Sequence, residues 1–186
     1  MRKLIMWNLL TLDGMFEGQK SWDLDWHQYV WGPELEQISI EQLRSADMLL
    51  FGRTTYLGMA AYWQTEQGEV ADFMNTLPKA VFSRTLQSAD WNNTRLIQHK
   101  AAQEVHRLKQ EGTGNLFIFG SAGLSSTLIK HGLIDEYRLA MVPVVLGGGS
   151  PLFKPSPDRL KLKLIEARPL DSGCVILRYE PEQPIP

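Results

Sequence analysis

Apolar residues along this chain fall into short continuous runs separated by stretches with helical spacing, which predicts alternating strands and helices. Residues 3–11 are apolar and extended and end at the turn signal Leu12-Asp13-Gly14. Segment 15–33 reads as a loop, and an aromatic one, carrying Phe16, Trp22, Trp26, Tyr29 and Trp31. Gly32-Pro33 opens a helix to about Arg44, with proline in the first turn and Glu34 and Glu36 suited to its positive end. Met48-Leu49-Leu50-Phe51 is a run fit for a strand covered on both faces. Helices are expected at 54–61 and 68–76, a strand over Lys79-Ala80-Val81-Phe82, and a weaker one over Thr94-Arg95-Leu96-Ile97. A helix over 101–111 stops at Gly112, and Leu116-Phe117-Ile118-Phe119 is the strongest strand. Ser121 is placed to cap a helix at 122–131, closed by Gly132. Residues 135–145 and strands near 160–168 and 174–180 make a β-rich end, and 181–186 form a tail. The order predicts an α/β sheet, mostly parallel with antiparallel strands late, in one domain over residues 1–180.

Composition narrows the function. The 186 residues are 44% hydrophobic, enough for a real core, and the net charge of −2 argues against a nucleic-acid binder. The basic start Met1-Arg2-Lys3 resembles a signal peptide, but the apolar stretch breaks at Asn8, so it reads as a first strand. No apolar run reaches the ~18 residues that span a bilayer; no membrane partner and a cytoplasmic location are expected. The single cysteine, Cys174, lies in an apolar run and reads as a buried thiol. His27, His99, His106 and His131 are scattered without metal-ligand spacing, so no metal is expected.

Three short motifs carry chemistry, each where a strand hands over to a loop or helix. They are Phe51-Gly52-Arg53-Thr54-Thr55-Tyr56, Phe82-Ser83-Arg84-Thr85 and Ile118-Phe119-Gly120-Ser121-Ala122-Gly123. Small residues, hydroxyls and guanidinium groups at strand ends are what the phosphates of a nucleotide need. In a parallel sheet these ends share one edge, where Arg53 and Arg84 would suit a 2′-phosphate and so favour NADPH over NADH. The Gly147-Gly148-Gly149 run marks close approach of a ligand, a strained bend or a hairpin loop. Trp22 and Trp26 could stack an aromatic substrate or form a buried cluster.

Together with Thr11-Leu12-Asp13-Gly14 and Pro143-Val144-Val145-Leu146-Gly147-Gly148-Gly149, these motifs stand in an order that resembles the dihydrofolate-reductase-like family, in its RibD C-terminal (riboflavin biosynthesis reductase) type. The resemblance covers roughly residues 3–179 and implies a three-layer α/β/α domain that binds NADPH and passes hydride to a heterocyclic or sugar-derived small molecule, as a 5-amino-6-(5-phosphoribosylamino)uracil reductase does. It implies that Gly52, Arg53, Thr54, Thr55, Ser83 and Arg84 hold the 2′-phosphate end of the cofactor, and that Gly120, Ser121, Ala122, Gly123 and Leu124 hold the pyrophosphate. Asp13 is the candidate catalytic carboxylate, while Trp22, Trp26 and Gly147 are candidates for the substrate side. A homodimer through the C-terminal β section is also implied. No deaminase motif accompanies the reductase motifs. True dihydrofolate reductases place a carboxylate on the first helix; here Asp23, Asp25, Glu34 and Glu36 are unaligned candidates. The alternatives are a dihydrofolate or pterin reductase and a module that binds NADPH without turnover.

Overall fold

A computed structural model of the chain describes residues 1–182. Its centre is an eight-stranded sheet in the order β5-β4-β3-β6-β1-β7-β10-β9. The strands are β1 (Leu4–Thr11), β3 (Ala46–Gly52), β4 (Lys79–Phe82), β5 (Thr94–Ile97), β6 (Asn115–Phe119), β7 (Glu136–Val142), β9 (Leu162–Pro169) and β10 (Val175–Pro181). From β5 to β7 every pairing is parallel; β10 runs antiparallel to both β7 and β9. The helices are α1 (Pro33–Arg44), α2 (Arg53–Trp63), α3 (Glu69–Thr76), α4 (Ala101–Leu108) and α5 (Ala122–Lys130).

Alternation along each strand sends side chains to opposite faces, and helices cover both. Ile5, Leu49, Phe51 and Phe117 pack with Leu35 and Leu43 of α1, Tyr56 of α2 and Met74 of α3. Leu4, Met6, Leu50 and Ile118 pack on the other side with Val105 and Leu108 of α4 and Leu124 and Leu128 of α5. This is the three-layer α/β/α arrangement expected. Cys174 is fully buried, and burial pushes its thiol up to about 11, so it acts as a core residue. Among the described residues no helix is long and apolar enough to cross a membrane.

Most boundaries fall within a few residues of expectation, but three readings change. Segment 15–33 is more than a loop: β2 (Met15–Glu17) pairs antiparallel with β8 (Ser150–Pro151), and Asp25–Tyr29 forms a 3-10 turn. The glycine run is explained by the same ribbon. Gly149 has φ +145, and a Cβ there would run into the Glu17 carbonyl oxygen, so the group approaching it closely is the chain's own β2. The expected tail begins later than residue 181, because Pro181 pairs with Leu162 and the Glu182 N–H donates to the Lys161 carbonyl. The rest of that tail lies outside the described residues.

Lys79 opens β4 yet is 1% exposed. Its ammonium donates to the carbonyls of Met74, Asn75 and Leu77 at 2.8, 3.3 and 2.7 Å, closing the end of α3, and lies 4.6 Å from the centre of the Trp91 ring. Burial draws its pKa down to about 8, while the carbonyls and the ring hold the charged form in place. Lys79→Met keeps the chain length but strands buried acceptors, so it is expected to cost about 1–3 kcal/mol. The check is the urea midpoint, which should fall with an unchanged denaturant slope; an unchanged midpoint refutes the role.

Candidate functional site

The parallel strands β3, β4 and β6 end along one edge beside the middle of β1, and three hydrogen bonds from backbone N–H groups to side chains tie β3, β6 and β1 together there. The Gly52 N–H donates to Ser121 Oγ at 2.7 Å, the Ser121 N–H to Thr55 Oγ1 at 3.0 Å, and the Gly120 N–H to Asn8 Oδ1 at 2.6 Å. Gly120 and Ser121 both sit in left-handed conformation, with φ +50 and +58. Glycine is suited to the first position on two counts, since a Cβ would also meet Thr55 Oγ1 at 3.1 Å. Ser121 does not cap α5 with its side chain as expected; its hydroxyl is turned back to β3 instead. The α5 N-terminus therefore keeps backbone N–H groups available for an anion.

Outside this knot runs a groove of about 1000 Å³. It brings together Gly52, Arg53, Thr54, Ser83, Arg84, Ser121, Ala122, Gly123 and Leu124. Thr55 and Gly120 face inward and shape the turn. Arg53 opens α2 and donates to Thr85 Oγ1 at 3.0 Å. Ser83 is buried, and its hydroxyl accepts the N–H groups of Thr85 and Leu86 at 3.2 and 3.1 Å, fixing the loop that carries Arg84. Lys100 and Lys154 also line the groove, and both escaped the motif reading. Lys154 lies just beyond β8 and reaches the groove only through the β2–β8 ribbon, for which the local sequence carries no signal. A Cβ built on Gly123 meets nothing but Lys154 Nζ, at 3.7 Å, so space is open directly over the helix start.

Inside the knot lies a second, smaller cavity of about 160 Å³. β1 supplies Trp7, Asn8 and Leu9, α1 supplies Ser39, Gln42 and Leu43, and α2 supplies Thr55, Met59 and Trp63. Trp22 joins them from the loop after β2, in a left-handed conformation (φ 65), with its N–H on Glu17 Oε1. Its indole lies against Gly58 of α2, where any Cβ would overlap the ring. Phe16 and Glu17 line both the cavity and the groove.

The other proposed substrate-side and catalytic residues fall elsewhere. Trp26 is 1% exposed and packs in the core, its indole N–H on the Asp23 carbonyl. Asp13 and Gly147 line neither space. The Asp13 carboxylate accepts the Thr11 hydroxyl at 2.6 Å and the Leu146 and Gly147 N–H groups at 3.3 and 2.9 Å. The Thr11 hydroxyl and those backbone donors hold its pKa below the ordinary value, as befits a clamp on the 144–147 loop. Among the described residues, no cluster of three acidic, histidine or cysteine side chains is placed to hold a metal ion.

The cavity's polar atoms were not singled out in the sequence reading, and three of them lack partners: Asn8 Nδ2, Gln42 Nε2 and His27 Nε2. Unpaired buried groups cost about 1–3 kcal/mol each, so each calls for a partner outside the chain's own side chains. Both amides have their orientation set by a donor. Asn8 Oδ1 takes the Gly120 N–H, and Gln42 Oε1 takes Arg138 Nη1 at 3.2 Å. Arg138 is itself held by the buried Glu136, which Arg178 also contacts. For Glu136 burial opposes the charge, and the two guanidinium groups outweigh it, keeping the carboxyl below its ordinary pKa.

Comparison with known proteins places the family and the fold. The model of the RibD C-terminal domain family matches residues 2–176, and the chain belongs to that family. The uncharacterized protein YyaP of Bacillus subtilis (strain 168) is 33% identical over 183 residues, covering 96% of this chain and 94% of the relative. A Shewanella sp. PV-4 protein, provisionally assigned to riboflavin biosynthesis, shares the fold with a TM-score of 0.80 at 22% identity, over 97% of this chain and 99% of that one. Dihydrofolate reductase from Enterococcus faecalis, solved with NADP(H), gives a TM-score of 0.66 at 14% identity, over 97% of each chain. The fold is dihydrofolate-reductase-like.

Burial draws the His27 imidazole down to about 4, against an ordinary value of 6.5. Between those values the unfolded chain binds a proton that the folded one does not, so stability falls as pH drops from about 6.5 to 4. His27→Gln is expected to flatten that part of the curve of melting temperature against pH. An equally steep decline in the variant would place the acid sensitivity elsewhere.

Proposed function

We propose that this member of the RibD C-terminal domain family is an NADPH-dependent oxidoreductase that transfers hydride to a small heterocyclic substrate. The observation that carries the reading is the pairing of two unlike spaces along one strand edge. One is a cationic groove over a helix N-terminus; the other is an aromatic cavity that shares Phe16 and Glu17 with it.

The residues present fit the cofactor. The opening over Gly123 is a cradle that a side chain would fill, and the surrounding N–H groups of α5 suit a pyrophosphate. Arg53 and Arg84, with Lys100 near them in the same groove, supply charge-assisted donors for a 2′-phosphate. When bound, the cofactor supplies two electrons and one hydrogen as hydride; reduction of a C=O, C=N or conjugated C=C bond then takes one proton besides. Glu17, the acidic side chain at the junction of the two spaces, is positioned to relay that proton from solvent. Trp22, Trp31 and Trp63 give the cavity an aromatic lining that would limit water around a transferred hydride.

One observation favours this over a dihydrofolate or pterin reductase. Where α1 meets the cavity it presents Ser39 and Gln42, not a carboxylate, while Glu34 accepts the Asp171 N–H at 2.8 Å outside the cavity. A module that only binds NADPH would have no use for the adjoining cavity, and turnover with any substrate excludes it. The reading includes a homodimer through the C-terminal strands, supported by the exposed Leu164 and Ile165 on β9; light scattering tests it.

Each arginine contact to a 2′-phosphate contributes on the order of 1.5–3 kcal/mol. Arg53→Ala or Arg84→Ala should therefore weaken NADPH binding about tenfold or more and leave NADH nearly unchanged. Equal calorimetric affinity of the unmodified protein for the two cofactors would overturn this. A Cβ at Gly123 meets only Lys154 Nζ, at 3.7 Å, so Gly123→Val should abolish NADPH binding while the far-ultraviolet spectrum and melting temperature hold. Normal binding by that variant would move the pyrophosphate elsewhere.

A further inference from the structure

We infer that the cavity selects an uncharged planar ring system that carries no phosphate and presents hydrogen-bond acceptors to the side-chain amides of Asn8 and Gln42. This rests on the reductase reading above, which gives that cavity to the substrate.

Charge is the first argument. Among the described residues, no lysine or arginine lines the cavity, and its one carboxylate is Glu17. His27, the other ionisable group there, stays neutral at pH 7 because burial opposes its charging. The cations that line the site all stand in the groove. A phosphate or carboxylate entering the cavity would be desolvated beside Glu17 with no counter-charge, which is strongly unfavourable. The phosphoribosyl substrate implied by the family resemblance therefore finds no cationic partner for its phosphate on the cavity's own lining.

Hydrogen bonding is the second. The Gly120 N–H and the Arg138 guanidinium can only donate, so the oxygens of the two amides face them and the nitrogens are left over. Asn8 and Gln42 are 8% and 6% exposed, and each leftover nitrogen is a buried donor without an acceptor. Ring carbonyls or ring nitrogens would complete both. Ser39 offers no competing donor, since its hydroxyl is held by the Leu35 carbonyl at 2.8 Å.

Size is the third. At about 160 Å³ the space is below the ~300–1,000 Å³ of sites for drug-sized ligands and close to the ~150 Å³ cavity that accepts benzene. One ring, or two fused rings reaching toward the groove, fills it between the tryptophans.

The test uses lumazine, an uncharged bicyclic dione at pH 6.5, and lumazine-6-carboxylate, which adds one negative charge to the same ring. Both are titrated calorimetrically into the full chain, with and without saturating NADP⁺. Lumazine is expected to bind at least tenfold more tightly than its carboxylate. Asn8→Asp and Gln42→Glu keep the oxygen that accepts from Gly120 or Arg138 but exchange the free donor for an acceptor, so each should fold normally and bind lumazine at least tenfold more weakly. Equal or tighter binding of the carboxylate, no binding of either compound, or wild-type affinity in both folded variants overturns the inference. NADPH affinity, measured on the same samples, separates it from the broader reading. Discrimination between the two rings without NADPH binding defeats the reductase assignment alone, whereas NADPH binding without discrimination defeats this inference alone.

Discussion

The site depends on one constraint: β3 and β6 must end side by side against β1, which runs on past them, while leaving room for a turn. Each strand end brings a backbone N–H or carbonyl that must be paired. Gly52, Ser121 and Gly120 have their N–H groups satisfied by short side chains on neighbouring elements, at 2.7, 3.0 and 2.6 Å. This cross-pairing holds two consecutive residues in left-handed conformation. It also aims the start of α5 outward and turns Asn8 and Thr55 inward. The groove and the cavity are thus two sides of one hydrogen-bonded wall, and neither can be reshaped without the other.

Electrostatics follow the same division. The groove carries Arg53, Arg84, Lys100 and Lys154 on an exposed edge, where cations remain hydrated until an anionic ligand arrives. The cavity is lined mostly by rings and aliphatic side chains, with a few polar atoms held in fixed orientation. Gln42 is held from a distance. Arg138 fixes its oxygen, Glu136 fixes Arg138, and Arg178 links both to Glu166 on the outer strands. The charges gathered around the buried Glu136 therefore hold a polar group that lines the cavity.

The alternation of strands and helices was legible because strands buried on both faces are continuous apolar runs and their helices begin and end with recognisable residues. The groove was legible for a related reason: its hydroxyls, glycines and arginines lie within a few residues of those strand ends. The β2–β8 ribbon was not, since strands of three and two residues carry no period and their pairing joins Met15 to Pro151. Asp13 and Trp26 were misplaced because an Asp-Gly turn or a tryptophan reads the same whether it faces a ligand, a loop or the core. Asn8, His27 and Gln42 could not be found at all from sequence. What distinguishes them is a missing partner, and that is a property of the packed chain.

Phe16 and Glu17 belong to both spaces, and they stand on a ribbon kept in place by the contact between Gly149 and the Glu17 backbone. A wall held in common makes the two occupancies thermodynamically conjugate. If filling the groove moves Glu17 toward the geometry a ring prefers, the ring must raise groove affinity by the same factor. The strength of that coupling is then a property of the ribbon's stiffness, and substitutions along residues 15–17 or 149–151 would alter cooperativity even where they touch neither ligand.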